Sequence, residues 1–303
     1  MRIYNRELSA QEIVDLYTVD SFGVSIGIFP AVEIVWNTQT GMSYQAQWSD
    51  NLLTNVWNNL GGLMAGNGSP YSLFDSTRQG AQRSYRVIRL TTNLTTGLLA
   101  YYPFDGNAND ASGNDRAGTV HGATWISNGV HGGACRFASN SEYISAPDSG
   151  LPNGDAPRSI SLWLMLESSY TNSLTGMLIY GTNQSSKRIE LGIDWRLGRN
   201  RYYFSPGGTA MLTDAVAAGP GTWAHLVYTY GGAGEHHLYV NGQISDGLSE
   251  LGGAINTVLT GQLVLGGQTG FVGPDGGYLD DVRIYNRELA YDEVLSLYYL
   301  AGE

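Results

Sequence analysis

The densest group of side chains able to do chemistry is the run F-D-G-N-A-N-D-A-S-G-N-D, which places Asp105, Asn107, Asn109, Asp110, Asn114 and Asp115 within eleven residues. A calcium ion takes about six to eight oxygens from carboxylates, amides and backbone carbonyls, and a glycine-punctuated loop can bend to present several of them. Asp280 and Asp281 are the remote carboxylates that could complete such a set. The same Asx residues can equally make turns and cap strand ends. The nearest approach to an acid–base pair is I-E-L-G-I-D-W, with Glu190 and Asp194 four residues apart. On a strand that spacing puts both on one face about 13 Å apart, beyond the carboxylate separations of retaining or inverting glycoside hydrolysis. Catalysis is therefore not expected.

The other nucleophiles and bases offer less. His225, in W-A-H-L-V-Y, reads as a hydrogen-bonded sheet residue, and the adjacent His236 and His237 point to opposite faces of a strand. His121 and His131 sit in glycine-rich turns, and the lone Cys135 reads as a small core residue that excludes an intrachain disulfide. Sugar recognition finds better material in D-W-R-L-G-R-N-R-Y-Y-F, residues 194–204. There Trp195 and Tyr202 could stack on the C–H faces of a glycan while Arg199 reads hydroxyls. Against this, Trp195 continues the face of Ile189, Leu191 and Ile193, which favours a core position, and the arginines around Gly198 can simply be solvated.

Short strands must position these groups. The chain has 303 residues, 42% of them hydrophobic, with 41 Gly, 20 Tyr and 7 Trp, and its apolar runs are brief, β-branched or aromatic, and broken by Asn-Gly, Gly-Gly and Pro. That is the composition of an all-β protein of two or three domains. Val32, Ile34 and Trp36, then Tyr44, Ala46 and Trp48, then Tyr85 and Val87 alternate with neighbours of the opposite face, marking a small β-module over residues 20–92. A Thr/Asn-rich linker, Thr91 to Thr96, leads to a unit spanning 97–303. Here S-I-S-L-W-L-M-L places Ile160, Leu162, Leu164 and Leu166 on one face, and Asn241-Gly242 signals a type I′ hairpin. A net charge of −11 opposes nucleic acid and anionic membranes and favours neutral or cationic partners. No apolar run reaches membrane-spanning length, and secretion would require an export signal upstream of this sequence.

The chain also repeats itself. Arg2 to Tyr17 matches Arg283 to Tyr298 at ten of sixteen positions, with a constant offset of 281 residues. Each copy reads as a strand, an Asn-Arg-Glu turn and a short amphipathic helix, apolar at Ile13, Leu16 and Tyr17 in one and at Val294, Leu297 and Tyr298 in the other. Residues 1–19 thus read as the closing element of a preceding unit, and a tandem array is its natural source.

Five phrases, L-L-A-Y-Y-P-F-D-G-N-A-N-D (98–110), S-I-S-L-W-L-M-L (159–166), W-A-H-L-V-Y-T-Y (223–230), H-L-Y-V-N-G (237–242) and G-Y-L-D-D-V-R-I-Y-N-R-E-L (277–289), resemble in order and spacing the concanavalin A-like, laminin-G-like jelly roll. The small module resembles, by pattern, immunoglobulin- or fibronectin-like sandwiches. The resemblance implies two packed antiparallel sheets over 97–303, and makes residues 1–17 the closing strand and helix of a preceding laminin-G-like copy. Because such domains often carry a structural calcium, it implies Asp105, Asp110 and Asp281 as ligands. Glucanases of this fold set three carboxylates on alternate residues of one strand, a pattern absent around Glu190. The expected function is a non-catalytic extracellular binding or adhesion module recognising a glycan or a surface protein. A head-to-tail structural repeat assembling through Ile3, Tyr4, Ile13, Leu16 and Tyr17 is the alternative, and a glycoside hydrolase is the weaker one.

Overall fold

The computed structural model describes residues 6–10, 31–54, 56–76, 82–91, 93–139, 141–167, 174–194, 201–206, 211–245, 255–267 and 277–299. The small module contains β1 (Ala31–Asn37), β2 (Met42–Ser49), β3 (Asn58–Asn59), β4 (Met64–Ala65), β5 (Pro70–Ser76) and β6 (Ser84–Thr91). β1 pairs with β5, and β2 pairs with β3, β4 and β6. Trp36 packs on Tyr71, its cross-strand partner, with ring centroids 5.2 Å apart, and on β2 both faces are covered, Tyr44 and Ala46 on one and Gln45 and Gln47 on the other.

The larger unit begins with β7 (Leu98–Tyr102), β8 (Thr119–His121), β9 (Thr124–Ile126), β10 (Ala134–Phe137), β11 (Tyr143–Ala146), β12 (Arg158–Leu166), β13 (Leu174–Gly181) and β14 (Arg188–Asp194). It continues with β15 (Arg201–Ser205), β16 (Met211–Val216), β17 (Ala224–Gly232), β18 (Glu235–Val240), β19 (Gln243–Ile244), β20 (Leu263–Leu265) and β21 (Gly277–Tyr285), and closes with helix α1 (Tyr291–Tyr299). One sheet runs β19-β18-β17-β12-β21-β10-β9, with β7 also on β21; the other runs β16-β15-β14-β13-β20-β11-β8. The described pairings are antiparallel, and the two sheets pack face to face as the jelly roll requires.

Each strand gives its alternate residues to the shared core. Ile160, Leu162, Leu164 and Leu166 of β12 meet Ile189, Leu191 and Ile193 of β14, and Phe204 stacks on Tyr228 across the sheets with centroids 3.6 Å apart. On β21 the alternation skips: Leu279 is in the core, and so are Val282 and Ile284. Asp281 causes the skip. It adopts φ 52°, and the β12–β21 register shifts between Ser161 and Trp163, a β-bulge that re-aims everything after it. The Asn241-Gly242 turn joins β18 to β19 with φ of 50° and 73°, the pair of left-handed conformations a type I′ turn demands.

Helix α1 is a two-sided wedge. Val294 and Leu297 pack with Val227, Tyr239, Tyr285 and Leu289 on the outside of the β12 sheet, while Leu295 and Tyr299 pack with Ile88, Leu90 and Leu63 of the small module. The Ser296 hydroxyl accepts the Thr91 N–H at 2.9 Å, and Gln47 Nε2 donates to the Tyr299 hydroxyl. Ala290 cannot supply the side-chain half of a capping box, yet Glu293 still accepts the Ala290 N–H at 2.9 Å while gripping Arg287 through two contacts of 2.6 Å. Burial works against ionisation of Glu293, but the bonds from Arg287 and the Ala290 N–H outweigh it and hold its pKa below the ordinary value.

Candidate functional site

The outer faces of the two sheets are unlike. On the β14 sheet the residues pointing away from the core are Arg188, Glu190, Gly192 and Asp194, with Arg201, Tyr203 and Ser205 beside them on β15. Arg188 and Glu190 form a close ion pair, and the Tyr203 hydroxyl donates to Glu190 Oε1. The register explains the reach: Tyr203 lies opposite Gly192, whose missing side chain leaves the diagonal to Glu190 open. Burial first, and then the Glu190 carboxylate, hold the Tyr203 hydroxyl well above its ordinary pKa, so it stays a donor. Arg201 donates to the Thr213 carbonyl at 2.6 Å. Removing one partner of a buried ion pair of this kind is costly.

Next to this network, where β13 lies between β14 and β20, is a cleft of about 170 Å³. Ile179 and Val264, directly opposed in register, form its apolar floor. Asn183, Thr260 and Gln262 line its rim, and Arg188 stands at one wall. Asn183 and Gln262 are exposed. The carboxylate of Asp148 fixes the rim loop by accepting the N–H groups of Thr260 and Gly261, both at 2.9 Å. An apolar strip flanked by amides, a hydroxyl and a guanidinium can hold the C–H face of a polyhydroxylated ligand while its hydroxyls are read from the side. Sequence reading missed these residues because they come from three strands and two loops, in two groups about eighty positions apart. The signal that could have found them is R-I-E-L-G-I-D, whose charged residues alternate with a core face.

The candidate calcium ligands serve other partners. Asp110 accepts the N–H groups of Tyr101, Ser112 and Arg116 at 3.0, 2.9 and 3.0 Å, filling both oxygens. Burial alone would raise its pKa, and the bonds from Ser112 and these N–H groups bring it below the ordinary value. Asp105 accepts the Gly133 N–H at 2.6 Å, and Asp281 pairs with Arg283 at 3.1 Å. Among the described residues no three His, Cys, Asp or Glu side chains are grouped to hold a metal ion. Asp105 and Asp110 pin loops through these backbone donors. Asp280 does the same, accepting the Val130 and His131 N–H groups at 2.7 and 2.9 Å, and desolvation pushes its pKa up to about 7 against those bonds.

Of the expected sugar contacts, Tyr202 is corrected. It is buried in the core and its hydroxyl accepts the Ala218 N–H at 2.9 Å, so it does not reach a surface ligand. Trp195, Arg199 and the assembly residues Ile3, Tyr4, Ile13, Leu16 and Tyr17 lie outside the described residues. Cys135 is buried in the core, and His225 Nε2 bonds the Ser161 hydroxyl at 2.8 Å inside the β12 sheet's covered face. Burial, reinforced by Arg283 and His131, pulls the His225 pKa down to about 3 and keeps the ring neutral.

The model of a family described as the concanavalin A-like lectin/glucanases superfamily, of laminin-G type, matches residues 138–295. Among solved structures, domain 4 of AbnA, a GH43 extracellular arabinanase from Geobacillus stearothermophilus seen with arabinotriose, aligns at TM-score 0.53 and 23% identity over 66% of this chain and 97% of its own. The binding domain of Paraclostridial Mosquitocidal Protein 1 aligns at 0.53 and 18% identity over 68% of this chain. The botulinum neurotoxin serotype D binding domain aligns at 0.51 and 17% over 67%. The chain spans about half the length of each toxin binding domain, 52% in both cases. These identities establish a shared fold. No curated protein matches the chain.

Proposed function

The chain belongs to the concanavalin A-like lectin/glucanases superfamily, and from that premise we propose that it is a non-catalytic carbohydrate-binding module that works outside the cell as part of a larger multidomain protein. The observation that carries this is the cleft over Ile179 and Val264 with its rim of Asn183, Thr260 and Gln262. Its chemistry suits neutral sugars, and the net charge of −11 disfavours anionic glycans. The arabinanase domain that shares the fold was seen with arabinotriose, which makes arabino-oligosaccharides the first ligands to try. Support for a binding rather than a hydrolytic role comes from Glu190, whose carboxylate is tied to Arg188 and Tyr203 and is not poised over the cleft as a free acid. Among the described residues no helix is long and apolar enough to cross a membrane.

A glycan array followed by titration calorimetry tests the reading. Saturable binding of a neutral glycan, weakened by Gln262→Ala, supports it; silence across neutral glycans, or release of reducing sugar from a bound one, rejects it.

A second reading has its own observation. The closing device of the jelly roll docks through Val294 and Leu297, and the counterparts of these positions at offset 281 are Ile13 and Leu16. Residues 1–17 carry the groups needed to dock on a laminin-G-like unit of the same design, in a tandem neighbour or a second copy. Light-scattering mass against concentration, for the full chain and for one starting at Ser21, checks it: growth that depends on residues 1–17 is expected for docking on a second copy.

A further inference from the structure

We propose a second carbohydrate-binding surface at the seam between the small module and the jelly roll, walled by Trp57 on one side and Tyr291 on the other. On the module's inner sheet, Asn59, Gln47 and Arg86 lie in one cross-strand row. Gln47 Nε2 donates to Asn59 Oδ1 at 2.8 Å, and Arg86 Nε donates to Gln47 Oε1 at 2.8 Å. The row thus holds the Arg86 guanidinium 4.2 Å from the centre of the Trp57 ring. From the jelly roll, Tyr291 and Tyr299 bring their hydroxyls beside the same guanidinium. They sit on one stripe of α1 together with Leu295, at helical spacings of four. Tyr291 remains 44% exposed while its ring stacks on Tyr239 with centroids 6.0 Å apart, which fixes its plane. Arg86 Nη2 is enclosed in the seam beside the Tyr291 hydroxyl. Asn58, next to Trp57, is exposed and adds an amide.

A fixed aromatic plane, two amides and a guanidinium at a domain boundary are the groups that recognise a sugar ring: its C–H face lies on the aromatic and its hydroxyls meet the amides. The net charge again selects a neutral oligosaccharide. The ligand class rests on the proposed function, but the site does not share residues with the cleft. The seam lies between the module's β2 sheet and α1 and the cleft lies outside β13 and β20, so a single chain would present two separate sugar sites and gain avidity on a polymer.

The test is titration calorimetry of the full chain with a panel of neutral oligosaccharides, arabino-, xylo-, manno- and cello-, alongside thermal melting of every variant. Two sites per chain are expected. Trp57→Ala and the milder Asn58→Ala and Tyr291→Leu should each leave one site, with the lost one weakened about tenfold or more. Gln262→Ala should remove the other. If all three seam variants melt normally and bind with the wild-type stoichiometry, the seam is not a sugar site, while a loss confined to Gln262→Ala upholds the cleft alone. A loss confined to the seam variants upholds the seam and removes the cleft. No binding by the wild-type chain overturns both.

Discussion

The two outer faces of the sandwich are built from the same kind of strand and used in different ways. Outside β12, β17 and β21, the outward residues are Trp163, His225, Val227 and Tyr285, and α1 seals them; His225 and Trp163 lie 4.9 Å apart, and Tyr298 stacks on Trp163 at 5.6 Å. Outside β13, β14 and β20, the outward residues include Ile179, Val264 and Arg188, which line an open cleft, with the buried Glu190 paired to Arg188 beside it. The first face joins domains through apolar contact and neutral rings, with the Asp281–Arg283 pair beside them. The second concentrates paired charge beside an open apolar strip, the arrangement that suits a polar ligand. The difference comes from what each strand carries at its outward positions, since the inward ones form one continuous core.

Breaking the charged network should have the largest effect. Glu190→Gln removes the carboxylate charge that the buried Arg188 pairs with and should cost about 3–5 kcal/mol in urea unfolding. A double replacement, Arg188→Met with Glu190→Leu, should recover most of that loss, showing the pair to be structural. Leu297→Ala removes apolar contact under the sealed face and should cost about 2–4 kcal/mol while leaving affinity at the cleft unchanged.

His225 gives the sealed face a pH signature. Its folded pKa, about 3, lies below the ordinary 6.5, so the unfolded state binds the proton first. Its contribution is fully present above pH 6.5 and is lost as pH falls toward 3. His225→Gln escapes that loss: relative to the wild-type chain it should gain about 2 kcal/mol on going from pH 7 to pH 5, read as the difference between two melting or urea series. A parallel pH dependence of variant and wild type would show that the ring titrates normally. The smallest change in stability belongs to the open face. Asn183→Ala and Gln262→Ala should move unfolding by less than about 0.5 kcal/mol, since both side chains are exposed, yet weaken glycan binding about tenfold together.

How much of this is readable in the sequence follows the same division. The faces of β12 and β14, the Asn241-Gly242 turn and the core position of Cys135 follow from alternation and turn chemistry, because one face of each strand had to be apolar. Tyr202 defeats that logic. Both neighbouring tyrosines are buried, one in the core and one on the charged outer face, and period-2 reasoning cannot tell them apart when both faces are covered. Asp281 was hidden by its bulge, which no residue pattern announces. The aspartates of the 105–115 loop look like metal ligands because turn-making and calcium-binding loops draw on the same residues, and the turn-making share is visible in the backbone donors that Asp105 and Asp110 accept. The cleft was illegible since it exists only once β13, β20 and the rim loop meet.

The most direct test of the division between the faces is an amide chemical-shift titration of the isotope-labelled chain with arabinotriose, or with the tightest neutral glycan from the array. Saturable shifts are expected at residues 179–188 and 260–264, with the amides of β12 and β17 beneath α1 unmoved. Shifts that leave 179–188 and 260–264 untouched at saturation would contradict that division.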